Sequence, residues 1–219
     1  MRNGQTMRTA RTMRILPSIM AKRQQEMDSL LSKLKGISTE VHLDVADGTF
    51  VPNTSLWFDV RLPSTFRYTA HLMVTNPEQW IEQNGKLVGT YIVQVEVIKD
   101  IDDYIKKTKQ QKKKVAFALN PETKWTILKP YLQEIDVVLI LTVHPGFYGA
   151  KYLKSPLKKI QPLKKVNPKI KIIVDGGMNP ATIKDARNAG ADDVVSGSYL
   201  TNSADPQKAM KELKRAMKR

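Results

Sequence analysis

Residues 41–48 read VHLDVADG, and the fold follows from how that stretch is taken. Its aliphatic content is that of a strand, and it ends on a glycine turn. Side chains alternate along a strand, so Val41, Leu43 and Val45 face one way while His42 and Asp44 face the other. An imidazole and a carboxylate inside a fold cost several kcal/mol unless something pairs with both. Either they bond across elements to hold the fold together, or they serve a third group.

Working outward, apolar runs of the same kind recur at 14–18, 41–45, 68–74, 91–97, 114–119, 137–143, 170–174 and 193–196. Their Val, Ile and Leu show little alternation, as in parallel strands covered on both faces. Amphipathic stretches lie between them at 23–35, 77–84, 101–110, 157–165 and 182–189, and a further one, 207–219, follows the last strand. Asn76-Pro77 and Asn179-Pro180 read as helix starts, Gly36 and Gly190 as helix ends. Eight strands alternating with helices over about 200 residues is the count of an α/β protein with a (β/α)8 TIM barrel and its active site at the C-terminal face. A doubly wound open sheet is the competitor, but no glycine-rich dinucleotide fingerprint follows the first strand. Residues 1–13 are basic and acid-free, and read as a flexible extension or a weak transit-peptide-like segment; residues 14–219 read as the barrel.

Composition narrows the function classes. The chain has 41% hydrophobic and 26% charged residues, ordinary for a soluble globular protein, which reads as cytoplasmic. With no cysteine, disulfide and thiolate chemistry are excluded, and a metal must be held by His, Asp or Glu. No apolar run reaches the roughly 20 residues that span a bilayer, so no membrane partner is expected. The formal charge of +15 suggests a polyanion partner, but its lysines are spread over helix and loop positions without interleaved aromatics to stack bases. A lysine-coated surface that attracts an anionic small molecule fits better than nucleic acid.

Chemistry in such a barrel sits where strands end. Ser18 closes the first run, His42 and Asp44 the second, His71 lies near the end of the third, and Asp175 ends the seventh in IIVDGG. Two imidazoles and two carboxylates on one rim are a donor set for a divalent ion. A second cluster follows strands six to eight: HPGFYGA at 144–150, DGG at 175–177 and SGS at 196–198. Glycine lets backbone N–H groups approach an anion, and these loops are a recurrent phosphate site in barrels. The two clusters together imply a small phosphorylated substrate whose other end reaches the metal.

The stretches ILPSIM at 15, VHLDVADGTFVPN at 41, AHLMVTNPEQW at 70, FALNPET at 117, LTVHPGFYGAKYL at 141, VDGGMNPATI at 174 and SGSYL at 196 carry a resemblance. Together they resemble the ribulose-phosphate 3-epimerase family in order and spacing. The resemblance implies one divalent metal ion per chain (zinc, iron(II), manganese or cobalt) on His42, Asp44, His71 and Asp175. It implies that Asp44 and Asp175 are the catalytic acid/base pair, and that Ser18 and His71 face the substrate. Phosphate contacts would come from Gly146, Phe147, Tyr148 and Gly149, from Gly176 and Gly177, and from Gly197 and Ser198. The implied reaction interconverts D-ribulose 5-phosphate and D-xylulose 5-phosphate, in a homo-oligomer.

Epimerising a carbon beside a ketone removes a proton on one face and returns one on the other, hence two carboxyls. The enediolate between them needs a nearby cation. The sequence also departs from the family pattern. Ala46 stands where methionine is usual, Ser55-Leu56-Trp57-Phe58 follows FVPN, Gln94 replaces a common histidine, and Tyr148 and Ala150 alter the phosphate loop. These changes leave a hexulose phosphate open as substrate. A hexulose-phosphate synthase-like lyase and a non-catalytic polyanion-binding barrel are the remaining alternatives.

Overall fold

The computed structural model describes residues 13–146 and 149–218. Phe147 and Tyr148, and the extension before Met13, lie outside the described residues. Met13 itself, counted with the extension from sequence, packs into the core at 6% exposure.

Among the described residues nine strands form one sheet: β1 (Arg14–Ile19), β2 (Glu40–Asp47), β3 (Thr54–Ser55), β4 (Arg67–Met73), β5 (Thr90–Gln94), β6 (Ala116–Leu119), β7 (Val137–Leu141), β8 (Lys171–Asp175) and β9 (Asp193–Ser196). Their order is β1-β9-β8-β7-β6-β5-β4-β2, and a β1–β2 pairing closes the ring. All eight ring strands are parallel, whereas β3 folds back antiparallel on the end of β2. This is the (β/α)8 barrel read from the alternation. Helices α1 (Gln24–Leu34), α2 (Pro77–Asn84), α3 (Ile101–Gln110), α4 (Ile160–Val166), α5 (Ile183–Ala189), α6 (Ser198–Thr201) and α7 (Pro206–Lys218) accompany the strands. Among the described residues no helix is long and apolar enough to cross a membrane.

Four readings from sequence move. The fourth strand stops at Gln94, and Val95–Val97 forms a 3₁₀ turn in which Glu96 accepts hydrogen bonds from Asn120 N and Thr123 Oγ1. Between β6 and β7, where no helix was read, Trp125–Tyr131 is a 3₁₀ helix. Pro130 inside it lacks the N–H and crowds the turn that an α-helix needs. The stretch read as one helix over 157–165 is a 3₁₀ turn, Ser155–Lys159, running into α4. Asn179-Pro180 opens a turn rather than a helix: Asn179 Oδ1 accepts from Ala181 N at 2.8 Å, and α5 starts only at Ile183.

The apolar core has two layers. Val41, Leu43 and Val45 of β2 join the large outer cluster with Ile19, Met27, Leu31, Leu72 and the other helix-facing side chains. Inside the ring, Leu16, Ile92, Ala118, Leu139, Leu141, Ile173 and Val195 fill the lumen. Strands β2 and β4 contribute nothing to that inner cluster, because their lumen-facing positions carry His42, Asp44 and His71. The barrel interior is apolar on one side and polar on the other.

The ring closes unevenly. β1 pairs with β9 from Arg14 to Pro17, but with β2 only at Ser18↔His42 and Ile19↔Leu43. Below those pairs Arg14 bridges the gap. Its Nε and Nη2 donate to Asp193 at 2.9 and 2.7 Å, and its Nη1 donates to Glu40 at 2.9 Å.

Candidate metal and sugar-phosphate site

Strand register assembles the polar cluster. Asp44 sits beside His71 across β2–β4, His42 beside Ser18 across β1–β2, and Asp175 ends β8 two strands beyond β1. His42 and His71 are fully buried, and Asp44 is 6% exposed. His42 Nε2 lies 3.5 Å from Asp44 Oδ1 and 3.9 Å from Asp175 Oδ2. His71 Nδ1 lies 3.8 Å from Asp44 Oδ1 and 3.4 Å from Asp175 Oδ2. All four candidate ligand atoms fall within 4.8 Å of one another.

These spacings are short for unrelated groups, yet the atoms are poorly aligned for bonding one another. His42 Nε2, Asp44 Oδ1 and His71 Nδ1 have no hydrogen-bond partner among the described residues. Leaving three buried polar atoms unpaired costs roughly 1–3 kcal/mol each. Four atoms about 2.1 Å from one tetrahedral ion are about 3.4 Å apart, close to the separations seen. The residues therefore fit a divalent ion, with imidazole and carboxylate donors that suit zinc, iron, manganese or cobalt alike. That answers why β2 buries a histidine beside an aspartate: a direct His42–Asp44 bond is not made.

The electrostatics agree. Burial holds the His42 imidazole below its ordinary value, only partly offset by Asp44 and Asp175. Burial also disfavours a charged His71, but Asp175 and Asp44 outweigh it and push the group up to about 9. Asp44 would be raised by burial, yet His71, His42 and the Ser18 hydroxyl bring its carboxyl below the usual range. A divalent ion bound here would displace the His71 proton and stand in its place between the two carboxylates.

Above it opens a cavity of about 400 Å³. Its floor carries Ser18, Asp44 and Asp175, and its rim carries Gly146, Gly149, Gly176, Gly177, Gly197 and Ser198. The structure thus brings the two sequence clusters into one chamber. His71 is the exception among the residues assigned to substrate: fully buried, it lies beneath the floor and does not line the cavity. The glycine loops are held by named contacts. Thr142 Oγ1 shares its one proton between Asp175 O and Gly176 O, at 2.9 and 2.7 Å, while Thr182 Oγ1 donates to Gly177 O at 2.7 Å and Asn53 Nδ2 to Gly146 O at 2.7 Å. Gly176, at φ +111°, could not carry a side chain: a Cβ there would stand 2.5 Å from Val143 Cγ2.

Sequence reasoning missed the apolar wall of Met20, Met73, Leu141 and Val143, and missed Tyr152 and Tyr199. All six lie inside the quoted motif stretches, Met20 as the last residue of ILPSIM, but that they face one chamber shows only in the closed barrel. Ala46 is not on the wall, being packed at 0% exposure against Val51 and Met73. Gln94, read from sequence only as a departure from the family pattern, stands behind His71 with its Nε2 2.9 Å from the ring Nε2.

Comparison with known proteins follows the same line. The pattern of the ribulose-phosphate 3 epimerase family matches residues 14–201. The cytoplasmic isoform of ribulose-phosphate 3-epimerase from rice, Oryza sativa, is 29% identical, over 96% of this chain and 97% of that protein. The Bacillus subtilis enzyme of the same name is 32% identical over 82% and 88%, and the chloroplastic Arabidopsis thaliana enzyme 37% over 80% and 66%. Among solved structures, 3-keto-L-gulonate-6-phosphate decarboxylase from Vibrio cholerae has a TM-score of 0.68 at 11% identity, covering 94% of this chain and 98% of that one. The 3-hexulose-6-phosphate synthase from Salmonella typhimurium gives 0.65 at 16% identity over the same shares, 94% and 98%. At such identities these two share the barrel alone. Motif order, barrel and sequence relatives agree, and the chain belongs to the ribulose-phosphate 3-epimerase family of isomerases.

Proposed function

We propose that this protein interconverts D-ribulose 5-phosphate and D-xylulose 5-phosphate by moving a proton at C3 between two carboxyls. One observation carries the reading: Asp44 and Asp175, from strands separated by two others, both open onto the floor of one cavity with unpaired imidazole nitrogens alongside. Asp44 Oδ1 and Asp175 Oδ2 face the imidazoles, which leaves Asp44 Oδ2 and Asp175 Oδ1 to exchange the proton. One carboxylate takes the C3 proton from one face while the other, protonated, returns one to the opposite face, and the reverse reaction swaps the roles. His42, Asp44, His71 and Asp175 would hold a divalent ion, which when bound supplies Lewis-acid stabilisation of the charge developing on the ketone oxygen. Ser18 orients Asp44 through its hydroxyl. Gly176, Gly177, Gly197 and Ser198 offer backbone to the phosphate, with the Gly146 and Gly149 loop closing the other side. Met20 and Met73 exclude water from the reacting carbon.

Ala46, Trp57 and Gln94 do not line the cavity, whereas Ala150 does, so a hexulose phosphate is the second substrate to test. The test is proton NMR of D-ribulose 5-phosphate in D2O with the purified protein. Chelator-sensitive loss of the C3 proton signal, with D-xylulose 5-phosphate appearing, is the expected result. Absence of exchange by metal-loaded protein would sink the proposal.

A further inference from the structure

We infer that Gln94 is a positioning residue, an obligate hydrogen-bond acceptor that fixes His71 in the tautomer presenting Nδ1 to Asp44 and Asp175. This rests on the metal-centre reading above and adds a residue to it. Gln94 is the last residue of β5, next to β4 in the ring, and is 0% exposed. Its head meets one side of the His71 ring, and the carboxylates meet the other.

The two ring nitrogens cannot be chosen independently. In a neutral imidazole one nitrogen carries the proton and the other carries the lone pair. With the amide N–H2 of Gln94 turned to His71, Nε2 must accept, so the proton is forced onto Nδ1 and points among the candidate ligand atoms. That orientation also leaves Gln94 Oε1 buried with no partner. A half-turn of the amide puts Oε1 at the 2.9 Å contact, gives it the hydrogen bond it lacks, and turns the N–H2 toward the side where no donor meets the head. Nε2–H then donates to Oε1, and Nδ1 is free to offer its lone pair. A glutamine accepts from Nε2–H without ionising itself, so the bond serves whenever Nδ1 gives up its proton to an ion. Partners of this kind on the far nitrogen of a ligating histidine typically change metal affinity by 10–100-fold. His42 lacks any such support, since its Nδ1 has no partner among the described residues. The whole tautomer constraint on the imidazole pair therefore falls on Gln94.

The experiment uses full-length protein stripped of metal with a chelator and titrated with cobalt(II) against a chromophoric competitor. Q94L keeps much of the volume but removes the acceptor, and its cobalt affinity should fall about 10–100-fold. Q94E keeps the shape and can present only oxygen to Nε2–H, so it should bind cobalt at least as tightly as the unaltered chain. Long-range ¹H–¹⁵N spectra of the zinc-loaded protein should show His71 protonated at Nε2. Q94L binding within twofold of the unaltered chain, or Q94E falling as far as Q94L, would overturn the inference while leaving the metal centre intact. Failure of the unaltered protein itself to bind cobalt would overturn the metal reading and this inference with it.

Discussion

The two halves of the barrel mouth are built by opposite means. On the β2–β4 side the site is made of side chains fixed within strands: Asp44 on the chamber floor and His42 and His71 beneath it occupy lumen positions that apolar residues fill elsewhere. On the β7–β9 side it is made of backbone, with Gly146, Gly149, Gly176 and Gly177 all at positive φ in loops beyond the strand ends. A strand interior supplies stiffness for placing proton carriers within tenths of an ångström. A glycine loop supplies N–H groups at short range but little chemistry of its own. The division predicts that changes in the strand-borne carboxylates and imidazoles, Asp175 at the end of β8 included, strike turnover and metal binding, and that changes in the glycine loops strike substrate affinity.

The largest effect should come from Asp44→Asn and Asp175→Asn, each of which removes one proton carrier while keeping the side-chain shape. Each should cut turnover by about 10²–10⁴-fold, read as C3-proton exchange in D2O, with circular dichroism unchanged. If either variant stayed near native turnover, the two-base division of labour would fail. Next comes chelation. Prolonged dialysis against a chelator should abolish exchange, and added zinc, manganese or cobalt should restore it. Restoration by none of them would break the link between the unpaired imidazole atoms and catalysis.

Gly176→Ala tests the backbone half. The new Cβ would meet Val143 at 2.5 Å, and left-handed backbone alone costs on the order of 1–2 kcal/mol in an L-residue. The expected result is a raised KM for the sugar phosphate and a lower melting temperature, with metal affinity unchanged. Gly149→Ala, where a Cβ meets nothing within 4 Å, should show only the smaller backbone penalty. Equal effects at the two glycines would mean that steric room near Val143 does not shape the loop.

The smallest effect concerns the strap joining the tops of β2 and β4. Asp47 accepts from Thr49 N and Phe50 N through Oδ1, and from Thr75 N and Thr75 Oγ1 through Oδ2. Burial would raise its carboxyl, but these hydrogen bonds hold it below the usual range. A carboxyl lowered on folding stabilises the fold above its unfolded value, near 3.9, and loses that contribution as pH falls through the folded value. The melting-temperature gap between the parent chain and Asp47→Asn should therefore be widest near neutrality and narrow below about pH 4. A gap independent of pH would show that the charge of Asp47 is not what the strap uses.

Most of the ring was legible because each strand is a run of aliphatics set between helical or turn signals. The four candidate ligands were legible for the same reason: a polar residue interrupting an apolar strand is visible in one dimension. The 3₁₀ helix at Trp125–Tyr131 was not, since Pro130 removes the 3.6-residue pattern that marks a helix. Val95–Val97 alternates like a strand and turns only because Glu96 is captured by Asn120 and Thr123, residues more than twenty positions away. The Gln94–His71 contact spans 23 positions and depends on the β4–β5 pairing, so no local pattern could reveal it. Tyr152 and Tyr199 join the chamber only once the ring is closed.

The uneven seam beside β1 has a mechanical consequence. The candidate ligands straddle it: His42, Asp44 and His71 lie on one side, on β2 and β4, while Asp175 lies on the other, on β8. An ion gripped by all four would act as a rivet through the hoop, carrying circumferential load across a joint that has only two β1–β2 register pairs and the Arg14 clasp below. Loading the site and shutting the barrel are then one equilibrium viewed from two ends, and whatever loosens the hoop must also loosen its grip on the ion.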